Sequence, residues 1–146
     1  METKDIIHEL RTKNGLSQDE FAEKVFVTRQ AVSRWENGET IPNTETLKLL
    51  SKIFDISINT LLGSPRQLIC QCCGMPLEDS FISKEVNGEF NEDYCQWCYS
   101  NNKFTYQSKD SLIDFLIQHM PNPDNKQEEE RRQEFDAYLS ELKHWK

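Results

Sequence analysis

Four cysteines stand in two pairs, Cys70-Gln-Cys-Cys73 and Cys95-Gln-Trp-Cys98, with 21 residues between the pairs. A C-x-x-C loop curls so that both sulfurs face one side, and Gly74, just after the first pair, permits the tight backbone whose N–H groups turn onto sulfur. Two such loops brought together make a tetrahedron of four thiolates, the donor set of a structural zinc site. The gap is slightly longer than the commonest zinc-ribbon spacing. Rubredoxin-type iron uses the same four thiolates and stays open on the residues alone. Disulfides would need an oxidising compartment, and the chain shows no basic segment followed by an apolar core that would take it there. A thioredoxin-like dithiol would leave the other pair without a purpose and lacks a βαβ pattern. Zinc is therefore assigned to Cys70, Cys73, Cys95 and Cys98. Cys72 falls outside the set, either as an inert thiol or as one able to exchange with the cluster.

A second group of side chains suits a different chemistry. Ser17-Gln-Asp-Glu20 is a capping box, in which the serine hydroxyl and the glutamate carboxylate each take the other residue's backbone N–H, so a helix starts there. Phe21, Ala22 and Val25 fall on one face of that helix. After a tight turn, Thr28 caps a second helix whose inner face carries Ala31, Val32 and Trp35. Its outer face presents Arg29, Gln30, Ser33 and Arg34, the kinds of side chain that read base edges in the DNA major groove. The bland alternative is a solvated polar face.

These two constellations need elements to hold them. Ile6, Ile7 and Leu10 repeat at helical spacing from Lys4 to about Lys13, where Asn14-Gly15 ends a first helix. Beyond Gly38, Ile41-Pro42 leads into a fourth helix near Asn43, with Leu47, Leu50 and Phe54 inward, and Ser57 opens a fifth that carries Ile58, Leu61 and Leu62. Gly63-Ser64-Pro65 reads as a helix stop and a domain boundary. Phe81–Val86 and Glu89–Tyr94 flank Asn87-Gly88 as a hairpin with a two-residue turn that returns the second cysteine pair to the first, and Lys103 to Gln107 adds a strand. Ser108 caps a helix with Leu112, Phe115, Leu116 and Met120 on one side, ended by Pro121. A last helix runs from about Lys126 to Trp145. It opens on Glu128-Glu-Glu130, where the helix dipole favours negative charge, and carries a stripe of Phe135, Tyr138 or Leu139, Leu142 and Trp145. His8, His119 and His144 have no partner at metal-ligand spacing and are assigned no role.

Residues 1–63 resemble the DNA-binding domain of the phage-repressor/Cro family of bacterial transcription regulators. The resemblance rests on Gly15-Leu16-Ser17-Gln18, Ala22, the run Thr28 to Gly38, and Ile41-Pro42. It implies a five-helix domain that binds double-stranded DNA, usually as a dimer. Gln18 and Asn37 would lie on phosphates, and Arg29, Gln30, Ser33 and Arg34 would face bases, with Thr28 at the head of the reading helix. It also implies an ion pair between Arg11 and Glu36. Phe26 stands where the family's turn usually has glycine or asparagine. A bulky residue costs roughly 1–2 kcal/mol in the left-handed conformation, so the turn is expected to be reshaped. The second half is similar to a bacterial zinc-ribbon domain of undefined role, through CQCCGMPL at Cys70–Leu77, DYCQWCYS at Asp93–Ser100, Lys103–Tyr106 and the closing Leu142–Lys146.

The expected fold is mainly α: a five-helix domain over residues 1–63, a linker over 64–69, a zinc ribbon with a β-hairpin over 70–107, and two C-terminal helices over 108–146. Those helices would pack on the ribbon or at a dimer interface. Net charge is −8, an unusual balance for a chain that meets phosphates; residues 1–63 hold 8 Lys and Arg against 10 Asp and Glu, the remainder 9 against 15. Binding must therefore rest on a local basic patch and good base contacts rather than on long-range steering. No run of about 18 apolar residues suggests a membrane span. No catalytic set stands out. The reading is a cytoplasmic, non-enzymatic, DNA-binding regulator, a repressor with a structural zinc ribbon. The associations it allows are a homodimer and a protein partner through the second domain. The alternative is a metal- or redox-responsive interaction protein, or an antitoxin, in which the cysteine cluster is the regulated or partner-binding site.

Overall fold

The computed structural model describes residues 1–146 as two compact units, Met1–Gln67 with Gly88–Phe90, and Leu68–Asn87 with Asn91–Lys146. The chain is mainly helical, with seven α-helices and four short strands. No helix is long and apolar enough to cross a membrane.

The first unit contains α1 (Thr3–Lys13), α2 (Gln18–Lys24), α3 (Arg29–Asn37), α4 (Thr44–Phe54) and α5 (Ile58–Leu61). Short polar side chains start four of them. Ser17, Thr28, Asn43 and Ser57 each accept the backbone N–H three residues on, as capping requires. Gly38 ends α3 in a left-handed conformation (φ 77°), and its neighbour Glu39 sends its N–H back to the Arg34 carbonyl at 2.9 Å. Ile7, Phe21, Val32, Leu50 and Leu61 are fully buried in one core, where Phe21 stacks on Phe54 at 5.2 Å. The turn between α2 and α3 corrects one expectation. It is not reshaped: Phe26 itself takes the left-handed conformation, at φ 58°, with its ring 85% exposed. Leu62 is also exposed, so α5 buries Leu61 and not the pair.

The segment read as a linker is tied at both ends. Asn59 accepts the Arg66 N–H and donates to the Arg66 carbonyl, while Leu77 N–H donates to the Leu68 carbonyl at 2.9 Å. Further along, β1 (Ile82–Lys84) pairs with β2 (Phe90–Cys95), and β3 (Tyr99–Ser100) pairs antiparallel with β4 (Lys103–Phe104). The two-residue turn expected at Asn87-Gly88 is not what joins the first hairpin, since residues 85–89 all lie between its strands. A tight two-residue turn occurs instead at Asn101-Asn102, both at positive φ, as hairpin twist demands. Then follow α6 (Lys109–His119) and α7 (Glu128–Leu139). α6 buries Leu112, Ile113 and Leu116, leaving Phe115 and Met120 on the exposed side, contrary to the apolar face read from spacing. α7 stops at Leu139, six residues short of the expected end, and Lys143–Trp145 form a 3-10 turn.

Candidate functional site

The first knuckle is a closed loop in which Cys70 N–H donates to the Met75 carbonyl and Gly74 N–H to the Cys70 carbonyl, both at 2.8 Å. Its interior amide turns onto sulfur: Cys73 N–H points at Cys70 Sγ, 3.5 Å away. The second knuckle closes through Cys98 N–H on the Cys95 carbonyl (3.2 Å), and Cys95 N–H reaches across to Cys70 Sγ at 3.4 Å. The four sulfurs of Cys70, Cys73, Cys95 and Cys98 lie within 4.8 Å of one another, Cys73 and Cys95 at 3.9 Å, and all five cysteines are free. A sulfur separation of 3.9 Å is far too long for a disulfide, yet it is close to the edge, about 3.8 Å, of a tetrahedron with zinc–sulfur bonds of about 2.3 Å. The donor set fits zinc in number, chemistry and spacing.

The electrostatics point the same way. Contacts from Cys73, then Cys95 and Cys98, hold Cys70 well below the ordinary thiol range, while the contacts of Cys98 with Cys70 and its neighbours push Cys98 far up. Four thiolates this close repel one another unless a cation lies between them. Cys72 lies outside the four-sulfur group and is completely buried.

On α3, Arg29, Gln30, Ser33, Arg34 and Asn37 line one open concavity of about 280 Å³, together with Glu39. Arg29, Gln30, Arg34 and Asn37 are exposed and Ser33 is half-buried. Thr28 sits at the head of the helix, its hydroxyl committed to the Ala31 N–H at 3.2 Å. Gln18 is the half-buried first residue of α2. Glu39 was not singled out in the sequence; it follows the left-handed Gly38 and joins the lining of this surface.

Behind α3, Arg11 grips Glu36 with two parallel bonds, Nε to Oε2 at 2.8 Å and Nη2 to Oε1 at 2.9 Å, and a third goes from Nη1 to the Leu16 carbonyl at 3.0 Å. Burial opposes ionisation of Glu36, but Arg11 and then His8 outweigh it and hold the carboxyl below its ordinary range. His8 was missed in the sequence: its Nδ1 lies 2.7 Å from Glu36 Oε1. Twenty-eight residues separate the two, so no local pattern signals the contact.

Against this geometry, residues 69–146 match the family model described as "Putative zinc ribbon domain", more than half of the chain. The chain belongs to that zinc-ribbon family. Residues 7–61 match a second model, described as helix-turn-helix. Among curated relatives, the HTH-type transcriptional activator BcrR of Enterococcus faecalis is 44% identical over 63 residues, 43% of this chain and 31% of its own length. Antitoxin PezA of Streptococcus pneumoniae is 34% identical over 80 residues, 55% of this chain and 47% of its own. The chain thus spans from about a third to about half of the length of these relatives. A solved structure of the P22 c2 repressor in complex with a synthetic operator is 34% identical, covering 44% of this chain and 97% of that one, with a TM-score of 0.42.

Around the zinc ribbon's cysteines, Tyr94, Tyr99 and Phe104 form an aromatic layer, with ring centroids 4.7 to 5.7 Å apart. His144 closes it, 4.4 Å from Phe104, and so has a packing role. His119 stacks on Phe115 at 4.3 Å. Of the expected C-terminal stripe, Leu139 and Leu142 are buried, Phe135 and Trp145 half-buried and Tyr138 exposed.

Proposed function

We propose that the protein is a cytoplasmic, non-enzymatic transcription regulator that binds specific double-stranded DNA through α3 and represses by occluding a promoter. The observation that carries this reading is the gathering of Arg29, Gln30, Ser33, Arg34 and Asn37 on one open concavity, on a helix braced from behind by the Arg11–Glu36 pair. Arg29, Gln30, Ser33 and Arg34 read base edges, Gln18 and Asn37 fix register on phosphates, and Thr28 presents the helix start. A dimer would see a near-palindromic site with half-sites about 10 base pairs apart or a multiple of that. In the zinc ribbon, Cys70, Cys73, Cys95 and Cys98 hold the metal, which supplies a cross-link between two knuckles and neutralises their thiolates. The role is structural.

Competition binding with the full-length protein tests the readout. Replacing Arg29, Gln30 or Arg34 by alanine should each cost roughly 1–3 kcal/mol and relax preference at one base position, whereas Gln18→Ala should weaken all sequences alike. Unchanged affinity for Arg29→Ala and Arg34→Ala together would refute it. A second reading takes support from the relative named an antitoxin: the second unit would then mask a protein partner, and a stoichiometric partner co-purifying in place of specific DNA would favour it. Loss of DNA binding on chelation would instead favour a metal- or redox-responsive regulator.

A further inference from the structure

The chain's last residues return to the first knuckle and occupy its outward-facing groups. Lys143 N–H donates to Gln71 Oε1 at 3.0 Å and His144 N–H to the Gln71 carbonyl at 3.1 Å. Trp145 Nε1 donates to the Cys72 carbonyl at 2.7 Å, and the Tyr138 hydroxyl to the Gly74 carbonyl at 3.0 Å. Gly74, at φ 81°, has no room for a side chain, because a Cβ there would overlap the Tyr138 ring. These contacts span 64 to 73 residues of sequence.

One of them reaches the sulfur cluster through a single peptide group. The Cys72 carbonyl and the Cys73 N–H belong to the same peptide group. Trp145 holds the oxygen end of that plane; the nitrogen end points at Cys70 Sγ, 3.5 Å away. A planar peptide cannot turn one end without the other, so fixing the oxygen fixes the aim of the N–H. A donor to the carbonyl also polarises the group and strengthens the bond at its far end. Groups that orient the ligands of a metal site tune how tightly it is held.

We propose that Trp145 is a positioning residue of the metal centre: by holding the Cys72–Cys73 peptide plane it keeps the N–H on the Cys70 sulfur, and with Tyr138 it makes the C-terminal segment a latch that slows departure of the metal. This rests on the zinc reading above.

The test uses zinc-loaded full-length protein, with Trp145→Phe and Tyr138→Phe as the variants, each removing a donor while keeping a ring. Zinc transfer to an excess of a chromophoric chelator should be about two- to tenfold faster in Trp145→Phe, the range expected for loss of one hydrogen bond, and faster to a lesser degree in Tyr138→Phe. Cobalt-loaded Trp145→Phe should show a shifted sulfur-to-metal charge-transfer band, which a contribution to fold stability alone would not produce. Zinc release at the wild-type rate with an unshifted cobalt band would overturn the proposal. If Trp145→Phe does not fold, Tyr138→Phe decides through its release rate, and a wild-type rate there overturns the latch. Wild-type protein purified without any metal would fail the zinc reading itself, whereas a zinc-loaded wild type with indifferent variants fails only this inference.

Discussion

Arg11→Ala should destabilise the first unit far more than a surface change. Glu36 keeps only 7% of its side-chain surface exposed and Arg11 16%, so the carboxylate left behind is largely desolvated. It loses two charge-assisted bonds at 2.8 and 2.9 Å, and Leu16 loses a donor to its carbonyl. A fully buried pair broken on one side costs roughly 3–5 kcal/mol; the residual exposure of the guanidinium and the remaining His8 contact set the expectation here at about 2–3 kcal/mol. For a small domain that is a large fraction of the roughly 5–15 kcal/mol that holds a native state together. Hydrogen exchange in the full-length protein, followed in peptides from α1 and α3, reads the loss separately from the second unit. The pH dependence supplies a second reading. The folded-state pKa of Glu36 is depressed, so its contribution is fully present above the ordinary carboxylate range and is lost as pH falls through the folded value. Without Arg11 the Glu36 pKa is less depressed and lies closer to its unfolded value, so the part of the protection that is lost with acid should shrink in the variant. A double-mutant cycle with Glu36→Ala that returns simply additive losses would refute the reasoning.

Two further outcomes follow from the same geometry. Phe26→Gly should stabilise the first unit by about 1 kcal/mol, because the left-handed backbone costs a bulky residue energy that glycine avoids, and a ring 85% exposed gives up little packing; a fall in its denaturation midpoint would show that the turn is unstrained. Replacing any one of Cys70, Cys73, Cys95 or Cys98 by serine should unfold the second unit while leaving α1–α5 folded, since structural zinc supplies roughly 10–16 kcal/mol to small domains, whereas Cys72→Ser should retain full metal content by elemental analysis. Metal retained in Cys70→Ser but lost in Cys72→Ser would mean that the knuckle register is wrong.

What the sequence by itself determined lies within a few residues of its cause. Ser17, Thr28, Ser57 and Ser108 each cap the helix they were read to start, because a hydroxyl and the amide three residues on are neighbours in any helix. The spacing of the cysteines fixed two knuckles, and the outward face of α3 followed from the period of the helix. Tertiary structure decided the rest. α7 stops at Leu139 although the apolar stripe continues, and the N–H groups of Lys143 and His144 bond Gln71 rather than a preceding helical turn. Ile113 and not Phe115 is buried on α6, and His8 meets Glu36, because the neighbouring elements choose which side of a helix is covered. Local hydrogen bonds are set by covalent geometry and can be read along the chain. A contact between residues 71 and 143 depends on where the whole fold brings its ends, and no local pattern records that.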